Sequence, residues 1–420
     1  MRGRPSRGIA PGTLMMLLVT ALVIGGFAVV LPTLSAGGRP STAQVDARMD
    51  ARLQPGRAEG LALSAPATAA PTAAPTAAPR REAAFTLTAG GTVAVEKNVR
   101  QSGYFSSAKK YDFDEILSLL RGEMEADLTL VSLENLTIPG AKVSELVVPA
   151  EVLRMLSLGG VNTVALGFGR AWEQGTAGVA ATRSAAQSAC LRVIGAFAEE
   201  TEAETALAIR EIGGIRVALL HFTQTLSSRS KSSLKKEGKP SLLPLTDDAP
   251  ERIAQARQLG AQAVIVSVHW GSEGKTAPTA AQRRIAQEMA EAGADVILGS
   301  GARRVQPAEW LPGAEGRNTL CLWDLGCLLS DSRGDGAVAG MLARMTLRLD
   351  GTGALRVENL RYLPTYQWRF SLDGAANYRV ISALGDAPDG MDSTQQKART
   401  KARERVEKIL KDGPLAEADE

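Results

Sequence analysis

Short apolar runs alternate with helical patterns along the chain from Phe85 onward. The apolar runs predict strands, because a strand buried on both faces lacks the polar alternation of a half-exposed one. The predicted strands are Phe85–Gly90, Leu128–Glu134, Thr163–Phe168, Ala261–Gly271 and Ala294–Gly301. Apolar positions at helical spacing predict the helices Asp112–Glu125, Pro149–Gly160, Ala249–Gly260 and Ala280–Gly293. This alternation favours an α/β fold with parallel strands and helices on the faces of the sheet.

A hairpin and a polar loop interrupt the alternation in the middle of the chain, and the pattern changes to antiparallel strands at its end. Glu204–Thr223 predicts a hairpin that turns at Gly213 and Gly214. Ser227–Pro240, which follows it, has the composition of a basic polar loop. Consecutive antiparallel strands are predicted at Thr319–Leu329, Met341–Asp350 and Ala354–Pro364. A charged helix, about Asp392 to Leu410, ends the pattern.

An uncharged segment lies near the start of the chain, from Gly8 to Gly38. As a helix, Thr13–Leu31 crosses most of a hydrocarbon layer of ~30 Å. Arginines precede it, and positive flanks stay in the cytoplasm. We therefore predict a cytoplasmic N-terminus at 1–12 and a single-pass anchor at 13–34, with the C-terminal domain outside the cytoplasm at the cell membrane. A signal peptide cleaved near Ser35 and Ala36 is the alternative.

A low-complexity segment follows at 35–82. Ser64–Pro79 repeats Pro-Thr-Ala-Ala, a composition that buries too little apolar surface to fold and favours extended chain. This predicts a disordered Ala/Pro/Thr-rich linker that spaces the domain from the membrane, and a glycosylated or partner-binding stalk is the alternative. One α/β domain is expected at 83–390, and a charged C-terminal helix and tail at 391–420.

Charge, cysteine and histidine content limit the partners, disulfide bridges and histidine chemistry that the chain can have. The chain carries a net charge of +3, which gives no signal for a nucleic-acid partner. Its three cysteines do not read as a disulfide framework, although Cys321 and Cys327 are close in sequence and a bridge between them is left open. The chain has only two histidines, His221 and His269.

Loops at the carboxyl ends of parallel strands frame the ligand crevice of α/β folds, so candidate chemistry is expected there. Val266–Glu273 reads VSVHWGSE, and Leu133–Thr137 reads LENLT. With RVQ at Arg304–Gln306 and DLGCLL at Asp324–Leu329, these segments resemble the motifs of the capsule-synthesis CapA family in order and spacing. The resemblance covers roughly residues 85 to 364. It implies a calcineurin-like metallophosphoesterase fold, a layered sandwich of mixed β-sheets flanked by helices.

The chain departs from that family where the resemblance implies metal ligands. Those places hold Gly91, Phe168, Gly169, Arg170, Gly301, Arg303 and Cys327. Glycine and phenylalanine have no donor atom for a metal, and a protonated guanidinium repels a cation. Only Glu134 and His269 survive from the implied set, too few for a two-metal site. The resemblance therefore implies a degenerate member that has no metal or other cofactor.

The remaining candidates each have two interpretations. Arg170 and Arg303 are candidate contacts for an anionic ligand, because arginine binds carboxylate or phosphate bidentately, or else they are merely solvated. Glu134, His269 and Glu273 are remnant catalytic positions. His269 and Glu273 form either a residual acid/base pair or a structural remnant.

The roles of two basic segments and the choice among three functions are also left open. Ser227–Pro240 either contacts an anionic envelope polymer or is a flexible loop, and the C-terminal helix has either a solvated face or a membrane-surface contact. The chain is a non-catalytic envelope protein that acts with a capsule or polyglutamate-like polymer or with polymer-synthesis proteins, a hydrolase with a rearranged site, or a domain that makes only protein contacts. The missing ligands favour the first and third.

Overall fold

A computed structural model of the chain describes residues 82–201, 209–242, 244–334, 336–372 and 374–418. The predicted anchor at 13–34 and the predicted linker up to residue 81 lie outside the described residues. Within the described ranges, no helix combines the length and apolar character needed to span a bilayer.

The described part of the chain contains strands and helices in alternation. The strands are β1 (Ala83–Val93), β2 (Tyr104–Phe105), β3 (Lys110–Tyr111), β4 (Leu128–Leu133), β5 (Thr163–Ala165), β6 (Arg192–Ile194), β7 (Arg210–Ile212), β8 (Ile215–Thr223), β9 (Ala263–His269), β10 (Val296–Ser300), β11 (Ala308–Pro312), β12 (Asn318–Leu322), β13 (Cys327–Leu329), β14 (Ala339–Leu349), β15 (Leu355–Leu372), β16 (Ala375–Ser382) and β17 (Ala416–Glu417). The helices are α1 (Lys97–Ser102), α2 (Arg121–Met124), α3 (Glu151–Leu158), α4 (Gly175–Ser188), α5 (Ser228–Lys236), α6 (Ala249–Gln258), α7 (Ala280–Glu291) and α8 (Ser393–Leu410).

Two mixed sheets form the body of the domain. The first has the order β16-β15-β14-β1-β4-β5-β6, with β13 beside β1 and β17 beside β15. The second has the order β11-β12-β10-β9-β8-β7. Strands β1, β4, β5 and β6 run parallel in the first sheet, and β8, β9, β10 and β12 run parallel in the second. The expected mixed α/β architecture is confirmed.

Alternating side chains along each strand divide the core into layers. On β9, Ile265 packs between the two sheets while Val264 and Val266 pack on the outer face. Helices α6 and α7 cover that outer face, and helices α3 and α4 cover the outer face of the first sheet. This packing explains the uninterrupted apolar runs of the sequence, because both faces of each central strand are buried.

Three predicted elements differ from the structure. Asp112–Glu125 is not one helix but a 3-10 turn, Ser118–Leu120, followed by α2. The carbonyl group of Ile116 accepts a hydrogen bond from Val380 N–H at 2.8 Å, so it is committed to the edge of the sheet rather than to a helix. Ser227–Pro240 is not a loop throughout, because it contains α5, which the Ser227 side chain caps.

The third difference lies in Thr319–Leu329, which forms two strands in different sheets. Strand β12 lies beside β10 in the second sheet, and β13 lies beside β1 in the first. Between them, Asp324 accepts a hydrogen bond from Gly326 N–H at 2.8 Å, and Gly326 has a φ of +74°. This turn moves the chain from one sheet to the other. The antiparallel pairing predicted for the later strands, β14 with β15, is confirmed.

The hairpin at Gly213 and Gly214 and the C-terminal helix form as predicted. Helix α8 packs Val406 and Leu410 into the layer between the sheets. Arg399, on the same helix, is mostly buried and donates hydrogen bonds to carbonyl groups at the end of β16. The helix is therefore part of the core packing. The three cysteines have free thiols.

Candidate functional site

The carboxyl ends of strands from both sheets meet at a pocket of about 420 Å³. Glu134 follows β4, His269 ends β9, and Arg303 follows β10. The lining residues are Ala94, Glu96, Lys97, Glu134, Asn135, Glu145, Phe168, Arg170, Glu273, Arg303, Asp331 and Ser332. The pocket lies where the chain order predicts a ligand crevice, because parallel strands present their carboxyl ends at one edge.

Arg303 lies at the centre of an ion-pair cluster. Its guanidinium donates to a single carboxylate oxygen of Glu134: Nε lies 3.1 Å from Oε2, and Nη2 also contacts Oε2. Its Nη1 lies 2.9 Å from Oε1 of Glu96 and 3.8 Å from Oε1 of Glu273. The Arg303 side chain is 16% exposed. One largely buried cation therefore pairs with carboxylates that come from loops of both sheets.

Glu134 is the most buried carboxylate of the cluster, with 8% of its side chain exposed. His269 Nε2 lies 3.4 Å from Glu134 Oε1, which is an ion-pair distance but longer than a good hydrogen bond. Burial acts to raise the pKa of Glu134, but His269 and Arg303 outweigh it and lower that pKa to about 2. Glu134 is thus ionised at neutral pH, as its pairing with a guanidinium requires.

The loop that carries Arg303 is held by its backbone. Gly301 and Arg303 both have positive φ, +110° and +54°. Asp324 accepts a hydrogen bond from Ala302 N–H at 2.7 Å and is fully buried, and burial raises the pKa of its carboxyl group well above the ordinary value. Glu134 and Glu96 raise the pKa of Arg303 even though burial opposes this, so the guanidinium keeps its charge. The backbone turn at Arg303 and the ion pairs of its side chain together hold the guanidinium in place.

Arg170 is also engaged by the protein. Its Nε and Nη2 atoms each lie 3.2 Å from a carboxylate oxygen of Glu173. Five carboxylates and three basic side chains line the pocket, so its lining is net acidic. The interpretation of Arg170 and Arg303 as contacts for an anion therefore meets an obstacle, because both guanidinium groups already bind carboxylates of this chain.

The second histidine lies behind the pocket and is fully packed. His221 Nε2 lies 2.8 Å from the carbonyl oxygen of Gly167, and Nδ1 lies 3.0 Å from Ser267 Oγ. Since a carbonyl only accepts, Nε2 carries the proton, and Nδ1 accepts from the serine hydroxyl. Burial lowers the pKa of His221 to about 4. A side chain on Gly167 would clash with this ring, which explains a glycine there.

The residues of the crevice do not fit the metals that the resemblance implies. Within the described ranges, no group of three or more His, Cys, Asp or Glu side chains is placed to hold a metal ion. The nearest approach to a ligand set is the cluster around Glu134, and its centre is filled by the guanidinium of Arg303. A permanently protonated group among the donor atoms opposes cation binding.

The structure brings together Glu134, Phe168, Arg170, Glu273 and Arg303 in the pocket lining. The other expected ligand places are Gly91, Gly169, Gly301 and Cys327, which are not among its lining residues. Gly91 lies inside β1 and packs against the backbone of the Gly326 turn. Cys327 is fully buried, and this burial raises the pKa of its thiol to about 12.

The sequence pattern missed Glu96, Glu145 and Asp331. Glu96 follows the end of β1, which runs three residues further than predicted, to Val93. The correct end of that strand would have pointed to Glu96. Asp331 accepts hydrogen bonds from Asn98 Nδ2 at 2.8 Å and Tyr378 Oη at 3.0 Å, contacts that join distant segments and leave no local signal.

Comparison with known proteins supports the family resemblance that the loop motifs indicate. The family model described as bacterial capsule synthesis protein PGA_cap matches residues 86–332. The PGA biosynthesis protein CapA of Bacillus subtilis (strain 168) is 27% identical over 167 residues, 40% of this chain and 42% of that protein. The capsule biosynthesis protein CapA of Bacillus anthracis is 25% identical over 210 residues, 49% of each chain. The chain thus spans less than half the length of these curated relatives.

Solved structures resemble the chain only in part. The NAD nucleotidase of Haemophilus influenzae has a TM-score of 0.40 and 9% identity, covering 81% of this chain and 65% of that protein. A phosphatase of Mycoplasma pneumoniae has a TM-score of 0.37 and 14% identity, covering 67% of this chain and 93% of that protein. Because both TM-scores are below 0.5, no functional argument rests on them.

The neutral state of His221 predicts a pH dependence of stability. We expect the free energy of unfolding to fall as the pH falls from 6.5 to about 4, because the unfolded chain then binds a proton on this residue and the folded chain does not. The loss should be about 3 kcal/mol. Urea unfolding across this range should give a positive slope with pH that His221→Gln removes. A matched His269→Gln variant should retain the His221 part, and an unchanged slope in His221→Gln would contradict the assignment.

Proposed function

The chain belongs to the bacterial capsule synthesis family PGA_cap, and we propose that it is a non-catalytic member that acts at the cell envelope in making or attaching a polymer. The observation that carries this proposal is the position of the Arg303 guanidinium, paired with Glu134 and Glu96 at the strand ends. A protein cation at this place can pair with the carboxylates as a metal ion would. It cannot activate a water molecule.

The difference lies in what each cation offers a water molecule. A metal ion accepts a lone pair from water and lowers its pKa, which produces a hydroxide nucleophile at neutral pH. A guanidinium only donates hydrogen bonds and stays protonated, so it binds carboxylates without activating water. The crevice therefore keeps a cation beside Glu134 while it lacks the group that phosphoester cleavage in such folds depends on.

A hydrolase with a rearranged site is the second candidate. The observation in its favour is the closeness of His269 to Glu134, with 3.4 Å between Nε2 and Oε1. A histidine oriented by a carboxylate is a common general base, worth ~10²–10⁴-fold in rate. Uncatalysed hydrolysis of phosphate esters is so slow that an acceleration of this size still leaves a very low rate. His269 alone is therefore a weak basis for this activity.

Hydrolysis of an aryl phosphate diester distinguishes the two candidates. We expect no rate above background for the full chain with added Mn²⁺, and the same result for His269→Ala, because neither activates water. Total metal analysis of the purified chain should give well under one equivalent of Mn, Zn or Fe. A clear rate that His269→Ala abolishes, or two tightly held metal ions, would establish an enzyme instead.

We further propose that the uncharged segment at 13–34 anchors the chain in the membrane. Its support is the length of the Thr13–Leu31 run and the arginines before it. After cell fractionation, the full chain should sediment with membranes and resist a high-salt wash, while a variant that lacks residues 1–34 should not. A soluble product that begins near Ala36 would identify a cleaved signal peptide and refute the anchor.

The proposed contact with an anionic envelope polymer has its best support at helix α5 rather than in the pocket. Arg229, Lys231, Lys235 and Lys236 are exposed on this helix. Leu234 and Ser230 face the core, so the helix packs firmly while its basic side chains point to solvent. Clustered positive charge attracts a polyanion without requiring a deep pocket.

Neutralising this helix should weaken polymer binding. We expect the triple variant Lys231→Gln, Lys235→Gln, Lys236→Gln to bind labelled polyglutamate about tenfold more weakly than the native chain at low salt. The matched control neutralises three exposed lysines of α8, Lys397, Lys401 and Lys408, and should bind as the native chain does. Fluorescence anisotropy measures both. Equal weakening in both variants would mean that total charge, not this surface, governs the contact.

A further inference from the structure

A small hairpin carries exposed aromatic side chains next to each other. Within the described ranges, strands β2 and β3 form a two-stranded sheet of their own, in which Tyr104 lies opposite Tyr111. Tyr104 is 45% exposed, and its neighbour Phe105 is 53% exposed. Large apolar side chains gain free energy when a partner removes them from water, so adjacent exposed rings mark a candidate contact surface.

The hairpin is held in place by the core. Tyr111 stacks on the buried Phe113 with 5.9 Å between the ring centroids, and Tyr104 packs on Tyr111 at 4.9 Å. A side chain at Gly103 would clash with Phe113, and the carbonyl group of Gly103 accepts a hydrogen bond from Asp112 N–H at 2.8 Å. Because the strand that carries the exposed rings is already ordered, a partner that covers them loses little affinity to ordering the backbone.

The charge around these rings has one sign. Residues 97–111 contain four basic residues and no acidic residue. Lys109 and Lys110 are exposed at the turn that joins the two strands, and Lys110 lies opposite Phe105. Aromatic rings favour the boundary between lipid headgroups and hydrocarbon, and lysines are attracted to anionic headgroups. The hairpin therefore complements an anionic lipid surface in both apolar character and charge.

An anionic polymer and a second protein are the competing occupants of this surface. A polyanion would contact the lysines but would leave the ring of Phe105, which has no hydrogen-bonding group, in water. A protein partner would cover the rings, but protein interfaces are depleted in lysine. A bilayer with anionic lipid uses the rings and the lysines together, which favours it over the other two.

We propose that the β2–β3 hairpin, residues 104–111, is a docking surface for a bilayer that contains anionic lipid. Tyr104 and Phe105 enter the interfacial region, while Lys109 and Lys110 contact the headgroups. The contact is shallow and reversible, because two rings bury far less apolar surface than a helix that spans the bilayer. It orients the domain on the membrane and weakens in a high-salt wash. It does not depend on the proposed anchor at 13–34.

Quenching of tryptophan fluorescence by brominated lipid measures the contact directly. The full chain is reconstituted from detergent into vesicles of brominated phosphatidylcholine and phosphatidylglycerol. The native chain, whose five tryptophans lie outside the hairpin, gives the baseline. The emission that Phe105→Trp adds should be lost in these vesicles, because the added ring lies in the interfacial region. Leu259→Trp, at a residue that is 52% exposed elsewhere, is the matched control and should keep its added emission.

Neutralising the lysines tests the role of charge. On the Phe105→Trp background, Lys109→Asn with Lys110→Gln should lower the ratio of docked to undocked hairpin by about tenfold or more, because each basic residue near an anionic surface contributes a factor of about five. Asparagine suits the φ of +50° at Lys109. Lys397→Gln with Lys401→Gln on α8 is the control and should leave the quenching unchanged. Vesicles without phosphatidylglycerol should reproduce the effect of the hairpin lysine changes.

The competing occupants give different results. Added emission of Phe105→Trp that brominated lipid does not quench would overturn the inference. In that case, weaker binding of labelled polyglutamate by the Lys109→Asn, Lys110→Gln variant would assign the surface to a polyanion. Dimers that Tyr104→Ser with Phe105→Ser dissociates would instead assign it to a second copy of this chain. Each of these results leaves the proposed non-catalytic function intact, since that function is tested by hydrolysis and metal content.

Discussion

One buried ion-pair cluster joins the two sheets at the edge that carries the pocket. Arg303 belongs to a loop of the second sheet, whereas Glu134 and Glu96 follow strands of the first. A buried carboxylate without a counter-charge is strongly destabilising, so neither sheet can be displaced at this edge without exposing an unpaired charge. The positions of the crevice loops depend on this pair. The apolar layer between the sheets sets how closely the sheets pack.

A side chain and a metal ion differ as counter-charges in how far they depend on the surrounding solution. A metal ion exchanges with the medium, and its occupancy varies with supply and with pH. A guanidinium is covalently attached and remains protonated. With Arg303 in place, the charge of the crevice does not depend on the composition of the surroundings. This constancy suits a surface that binds and positions a partner.

Much of the architecture follows from periodicity, and much of the site does not. Long apolar runs such as that of β9 identify central strands because both of their faces are buried. The pattern could not divide Thr319–Leu329, because Asp324 at the turn also accepts a hydrogen bond from Ala302 N–H in a distant loop. Motif order located Glu134, His269 and Arg303. It missed Glu96, because β1 runs three residues further than the apolar pattern predicts and so brings this carboxylate beside Arg303.

The exposed lysines of α5 and the buried cluster around Arg303 differ in how they respond to ionic strength. Salt screens exposed charges beyond about 8 Å at physiological concentration, and buried pairs far less. The contacts proposed for the exposed lysines of α5 should therefore weaken as salt rises, while the cluster around Arg303 keeps its geometry. Changing salt at constant pH thus separates a polyelectrolyte contact on the surface from recognition inside the crevice, within a single unmodified protein.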